Sequence, residues 1–292
     1  MGCSQASLAS GKPPTEMIKD ILLNLTVDAA RDAAAEYAIS VARAFDAHVA
    51  GFAFAYEPVI PGSVFGGVAL DLVAAARREV ENTARSVVSN FNEAARQAGL
   101  SAESHLLNAD FPSAADVFGR LARRFDISVV AQTERDKLPA RQMIIESALF
   151  QSGRPVLIVP YIQQAGFKLD NVMVCWDGSR NAARALGDAM PFLVRARAVE
   201  VVVVAGEAPK SNEIPGADIA HHLARHGLKV ELEEIVSADL DVPNTILSHA
   251  ADAGTDLIVM GAYGHSRLRE LVLGGATRGI LNAMTVPTLM SH

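Results

Sequence analysis

The run Asp126-Ile-Ser-Val-Val-Ala recurs in pattern as Asp256-Leu-Ile-Val-Met-Gly. Each copy is followed, after nearly equal separations, by a proline-led apolar run, Pro155-Val-Leu-Ile-Val and Pro287-Thr-Leu-Met. Self-similarity over so long a period restricts a chain to two copies of one supersecondary unit. A short apolar run bounded by turn residues reads as a buried strand, and helical periodicity separates such runs here.

In chain order, residues 18–25 read as a strand and 29–45 as a helix whose apolar positions cluster towards one face. Strand 47–55 follows, then a loop at 57–67 broken by Pro58, Pro61 and glycines. A long helix spans 70–97 and stops at Gly99. Strand 102–107, helix 113–124, strand 126–132, helix 141–150 and strand 155–159 complete the first unit. The order restarts with strand 171–176 and helix 180–193. Strand 200–205 is nearly unbroken valine, as a parallel strand covered on both faces requires. Helix 217–226, strand 229–235, helix 243–253, strand 257–260 broken at Gly261, helix 276–284 and strand 286–290 follow. Alternation of this kind specifies an α/β fold of two doubly wound, parallel, five-stranded sheets in an internal tandem repeat. The boundaries are a polar tail at 1–16, a first unit at 17–162, a linker at 160–167 and a second unit at 168–292. Near the unit starts, Asp28-Ala-Ala-Arg-Asp-Ala-Ala lies on Asp177-Gly-Ser-Arg-Asn-Ala-Ala.

The units differ at 257–281, where strand, glycine-rich loop and helix follow one another in the second. That order presents backbone N–H groups and a positive helix end to an anion. The first unit offers Gln132-Thr-Glu-Arg-Asp-Lys-Leu-Pro at the same place. It lacks the glycines, and Glu134 and Asp136 would repel a phosphate. Two phosphate motifs are excluded: Ala276-Thr277 stand where a P-loop needs Lys-Ser/Thr, and the dinucleotide fingerprint belongs after a unit's first strand, not its fourth.

The spacing Gly261-x2-Gly264-x9-Gly274 resembles the nucleotide-binding signature of the universal stress protein family. The opening strand Val172-Met-Val-Cys-Trp-Asp-Gly-Ser and the closing Val286-Pro287 are similar to that family's as well. The resemblance covers both units and implies a tandem universal stress protein. Carried over, it places Asp177 near an adenosine, Val203 or Val204 against an adenine, and Gly261, Gly264, His265, Gly274 and Gly275 around phosphates. Where the family carries Ser or Thr after the third glycine, this chain has Gly275, which offers only an N–H. Thr277 is the candidate substitute. The implied ligand is an adenine nucleotide (ATP, ADP or AMP), with magnesium as its companion ion. The resemblance also implies that the closing strands 155–159 and 286–290 pair antiparallel in an intrachain pseudo-dimer, with further homodimerisation open.

Composition narrows the alternatives. A formal charge of −7 and the lack of a basic stripe argue against nucleic-acid binding. No apolar stretch is long enough to span a membrane, and the first residues have no secretory h-region. Two cysteines, Cys3 and Cys175, fit a reducing cytoplasm. His222 and His226 share a helix face beside Asp218 but read as a solvated surface, with no metal called. His265 and Ser266 are too close in sequence for a catalytic pair, Arg267 and Arg269 could reach phosphate oxygens, and Trp176 abuts Asp177. The expectation is a cytoplasmic stress-response binding module, not an enzyme, with hydrolysis at most slow for want of a general base or lysine clamp. The rivals are a nucleotide-free small-ligand or interaction protein and an α/β nucleotide-using enzyme.

Overall fold

The computed structural model describes residues 18–27, 29, 31–56, 70–133, 138–205, 216–236, 241–263 and 275–292. Ten strands and eight helices alternate in these segments. The first unit contains β1 (Asp20–Leu25), α1 (Ala33–Phe45), β2 (His48–Tyr56), α2 (Leu70–Gln97), β3 (Ala102–Ala109), α3 (Phe111–Ala122), β4 (Ile127–Ala131), α4 (Leu138–Gln151) and β5 (Val156–Val159). The second contains β6 (Asn171–Cys175), α5 (Arg180–Leu193), β7 (Ala198–Ala205), α6 (Ala217–Arg225), β8 (Val230–Val236), α7 (Val242–Asp252), β9 (Leu257–Gly261), α8 (Gly275–Ala283) and β10 (Thr288–Ser291).

The strand order is β3-β2-β1-β4-β5-β10-β9-β6-β7-β8. Each unit contributes five parallel strands, and the two sets join as one continuous sheet. The seam is antiparallel, with Thr288 opposite Ile158, Leu289 opposite Leu157 and Met290 opposite Val156. The five-stranded sheets expected from the repeat are therefore halves of one ten-stranded sheet. The closing strands leave no gap because Val156 to Val159 and Thr288 to Ser291 are wholly buried.

Alternate residues along each strand feed two separate cores. Leu23, Val129, Val174 and Val259 face α1, α2, α5 and α6, while Leu22, Val130, Met173 and Ile258 face α3, α4, α7 and α8. This period-two division is what a sheet covered on both sides demands. At the seam, Phe167 lies between the units, with its ring 6.0 Å from Tyr37, 5.8 Å from Phe45 and 5.9 Å from Phe192. Its N–H donates to Ser40 Oγ at 2.7 Å. The end of the linker is thus a core residue. Arg195 stacks its guanidinium 4.2 Å over Phe45 from the other unit.

The repeated aspartates have a mechanical role. Asp126 Oδ2 accepts the N–H groups of Lys19 and Asp20, at 2.8 and 3.0 Å. Asp256 Oδ2 accepts those of Asp170 and Asn171, also at 2.8 and 3.0 Å. Each carboxylate ties the start of a unit's central strand to the chain entering its fourth. Helix α1 starts at Ala33, later than the periodicity suggests, because Asp32 caps it by accepting the N–H of Ala35 at 3.0 Å. The corresponding cap in the second unit is Ser179, bonded to Ala182 N. The strand registers then put Thr26, not Asp28, opposite Asp177. The β1–α1 connection is longer than the β6–α5 connection, which corrects the alignment of Asp28 on Asp177. Asp28 itself lies outside the described residues.

Candidate functional site

A cavity of about 540 Å³ opens beyond the carboxyl ends of β6, β7 and β9, where open α/β sheets bind ligands. Asp177 and Gly178 border it after β6, Val202 to Val204 line it along β7, and Met260 and Gly261 line it at the end of β9. Val242 and Ile246 of α7 and Gly275, Ala276 and Thr277 of α8 close the remaining side. Helices α7 and α8 approach so closely that a Cβ on Gly279 would stand 2.5 Å from Pro243 Cγ.

Strand β7 outruns its neighbour. The last β6–β7 pair is Cys175 with Val202, and Trp176 N donates to Val202 O at 2.9 Å. Val202 therefore points its peptide groups at β6, and strand alternation directs those of Val204 the same way. There β6 has already ended. Val204 presents an N–H and a C=O side by side to the cavity that its side chain lines. Opposite stands the start of α8, whose first N–H groups have no intrahelical acceptors and carry the positive end of the helix dipole.

Thr277 lies in the first turn of α8, 3 % exposed. Its Oγ1 accepts the N–H of Tyr263 at 3.0 Å, which leaves the O–H proton as its remaining donor. Asp177 Oδ1 accepts the N–H of Ser179 at 2.9 Å, a local turn that fixes the carboxylate at the cavity rim. Among the described lining residues it is the one formally charged side chain. Cys175 borders the cavity as a poor nucleophile: burial, and then the Asp177 and Glu200 carboxylates, push its thiol up to about 12. Trp176 lines the same space.

Gly261 has a packing role that the sequence does not announce. A Cβ there would sit 2.5 Å from Ala182 N and 2.6 Å from Asn181 C, so the absent side chain lets the start of α5 rest on β9. Asn181 holds that contact by donating to Ala262 O at 2.6 Å. Gly275, by contrast, meets nothing within 4 Å among the described residues. Asp177, Val204, Gly261, Gly275 and Thr277 thus share one cavity. Gly264, His265 and Gly274, together with Ser266, Arg267 and Arg269, lie outside the described residues. Residues 134–137 of the first unit do too. The apolar walls (Val242, Ile246, Met260) were not singled out from the sequence, since nothing separates them from ordinary core residues until the fold places them. The rings of His222 and His226 are 4.9 Å apart. Among the described residues no group of three or more His, Cys, Asp or Glu is placed to hold a metal.

At the equivalent place, past the end of β4, the first unit has Gln132 where the second has Ala262. Gln132, 1 % exposed, and Arg141, 8 % exposed, occupy the corresponding region, with Arg141 Nη1 donating towards Gln132 O at 3.5 Å. Asp32 is held there by the N–H groups of Thr26 and Ala35. Burial raises its pKa, opposed by those bonds and by Arg141.

Residues 168–292 match the family model described as the universal stress protein family. The chain is 30% identical over 142 residues to universal stress protein Slr1230 of Synechocystis, covering 47% of this chain and 46% of that protein. The chain thus spans about half the length of that relative. It is 28% identical over 146 residues to universal stress protein YxiE of Bacillus subtilis, covering 41% of this chain and 97% of that one. The crystal structure of a universal stress protein from Archaeoglobus fulgidus superposes with a TM-score of 0.71 at 17% identity, over 94% of this chain and 96% of that one. That likeness extends the shared fold across both units. No described helix is long and apolar enough to cross a membrane. The second unit, residues 168–292, thus matches the universal stress protein family, and the fold of such proteins extends over both units in tandem.

Proposed function

We propose that the second unit binds an adenine nucleotide in the cavity between β7 and α8, and that the chain acts as a cytoplasmic, nucleotide-responsive binding module and not as an enzyme. The observation that carries this reading is the edge of β7 at Val204, which lies beyond the last β6 pair and is unpaired on that side among the described residues, facing the start of α8 across one cavity. An N–H beside a C=O matches the donor and acceptor edge of an adenine. Val203, Ile246 and Met260 offer apolar contact to its faces, and Asp177 stands where a ribose hydroxyl would donate to it. The first N–H groups of α8 and the Thr277 hydroxyl suit a phosphate. At about 540 Å³ the space falls within the range of small-ligand sites, roughly 300–1,000 Å³. Magnesium, if carried, would arrive on the phosphates, since Asp177 alone is too few ligands for it.

The lining also favours a second reading, a neutral aromatic ligand, because apolar side chains dominate and Asp177 is a carboxylate. One set of experiments separates the two. Denaturing the purified protein and chromatographing the supernatant should release adenine nucleotide. Trp176, the sole tryptophan, lines the cavity, so ATP, ADP or AMP should change its emission. Gly275→Glu would place a carboxylate at the start of α8, where no described residue stands within 4 Å, and should abolish that response without unfolding the protein. No released nucleotide, no emission change and no melting shift with any of the three would refute the nucleotide reading. A response to adenosine that phosphates weaken would favour the second. Incubation with ATP should yield no turnover beyond slow background.

A further inference from the structure

The first unit touches the second near its cavity at three points. Arg184 Nη2 of α5 donates to Gly153 O at 2.9 Å. Gln132 Nε2, at the end of β4, donates to Leu281 O of α8 at 3.0 Å. The ring of Phe150, in α4, lies 4.8 Å from that of Tyr263 and 4.8 Å from His292. These contacts end on α5, on α8 and just past β9; of these elements, α8 and β9 supply residues that line the cavity.

Tyr263 needs such support. Its backbone is left-handed at φ 56°, a conformation a non-glycine residue adopts at a cost. Its N–H is tied to Thr277 Oγ1. The preceding residue is pinned twice: Ala262 N donates to Ser291 O at 2.8 Å, and Ala262 O accepts from Asn181. Burial pushes the Tyr263 phenol up to about 12, with Glu146 of the first unit adding to the effect and Arg278 opposing it. The arrangement runs one way: the repeat-equivalent positions, Thr133 and Asn282, carry no rings. Phe150 is 44 % exposed, an unusual place for a phenylalanine unless its ring has a surface task.

We propose that Phe150 and Gln132 are positioning residues: the first unit braces the β9–α8 wall of the second unit's cavity and so sets ligand affinity from outside it. This rests on the nucleotide reading above. A unit without a glycine loop of its own is then a working part of its neighbour's site.

The test uses the full chain labelled with 3-fluorotyrosine, with Tyr263→Phe identifying the Tyr263 fluorine resonance. Phe150→Ala should move that resonance towards the position of an exposed tyrosine and weaken binding of the tightest of ATP, ADP and AMP by about two- to tenfold, the range an aromatic pair supports. Phe150→Tyr keeps the ring and should restore both. Gln132→Met removes the donor at similar volume and should weaken binding in the same direction. All three variants should melt within a few degrees of the parent chain. Unchanged affinity in Phe150→Ala, an unmoved resonance, or failure of Phe150→Tyr to restore binding overturns the proposal. If the parent chain binds none of the nucleotides, the nucleotide reading falls, and the brace is judged by the Tyr263 resonance alone.

Discussion

Gly261 and Gly275 both border the cavity, and they should respond to the same substitution in opposite ways. At Gly261 an added methyl meets Ala182 N at 2.5 Å, where ordinary contact begins at 3.4 Å, so the first turn of α5 must retreat by about 0.9 Å. That turn is fastened by Asn181, whose 2.6 Å bond to Ala262 O would stretch with it. Overpacking costs about 1–3 kcal/mol and the weakened bond about 1 kcal/mol more. For domains of this size the sum lowers the melting temperature by about 5–15 °C. At Gly275 a methyl meets nothing within 4 Å among the described residues, and the position is helical. Alanine there should stabilise α8 by up to about 1 kcal/mol, because it loses less backbone freedom than glycine. Scanning calorimetry of Gly261→Ala and Gly275→Ala beside the parent chain measures both. Gly261→Ala melting within a degree of the parent, or Gly275→Ala falling as far as Gly261→Ala, would refute the division of these glycines into one for packing and one for the cavity.

Asp256→Ala and Asp126→Ala each remove a carboxylate that accepts two N–H groups, and each should cost about 1–3 kcal/mol in denaturant unfolding. The sites are far apart, so the double variant should lose the sum to within about 0.5 kcal/mol. Asp32 has a raised folded-state pKa, so the folded chain holds its proton to higher pH than the unfolded chain. Stability from this group is full below the unfolded carboxylate pKa and is lost as pH rises through the raised value. Asp32→Asn keeps a capping oxygen and removes the titration, so its stability relative to the parent should improve between about pH 4 and neutrality; a flat difference across that window would contradict the assignment. In a Cys3→Ser background, iodoacetamide at pH 8 should label Cys175 no faster than the protein unfolds, since its thiol ionises only near 12. Prompt labelling at pH 8 would show the thiol to be solvated and acidic.

The α/β alternation was legible because strand and helix periods differ and several strands, such as Ile127–Ala131, Val156–Val159 and Ala198–Ala205, are rich in β-branched residues. The register of Asp126 on Asp256 was legible too, and the structure supplies its reason: both carboxylates make the same lateral bonds. The β1–α1 loop was not. Asp32 and Ser179 cap equivalent helices with different side chains at different distances from their strands, so sequence alone aligned Asp28 where the fold places Thr26. At the site, Asp177 and Thr277 were reached through the resemblance to the universal stress protein family, Asp177 by its place after the opening strand and Thr277 as the nearest hydroxyl to the third glycine. The edge of Val204 beyond the last β6 pair was not legible, since a valine run shows no sign of where its neighbouring strand stops. Gly261 was visible as a glycine, but its contact with Ala182 depends on the docking of α5, which no local pattern encodes. Phe150 and Gln132 belong to the other unit and become neighbours of the cavity only through the seam.

That seam has a consequence for stoichiometry. Single units that pair through their closing strands would associate and separate as their concentration changes, and could mix with other copies. Here β5 and β10 belong to one polypeptide, so their pairing is a first-order event governed by the tether between them. Dilution cannot part them, and exchange with a second chain must compete against a partner always at hand. Each molecule therefore carries a fixed complement, one glycine-loop unit with one companion, at whatever level the cell makes it.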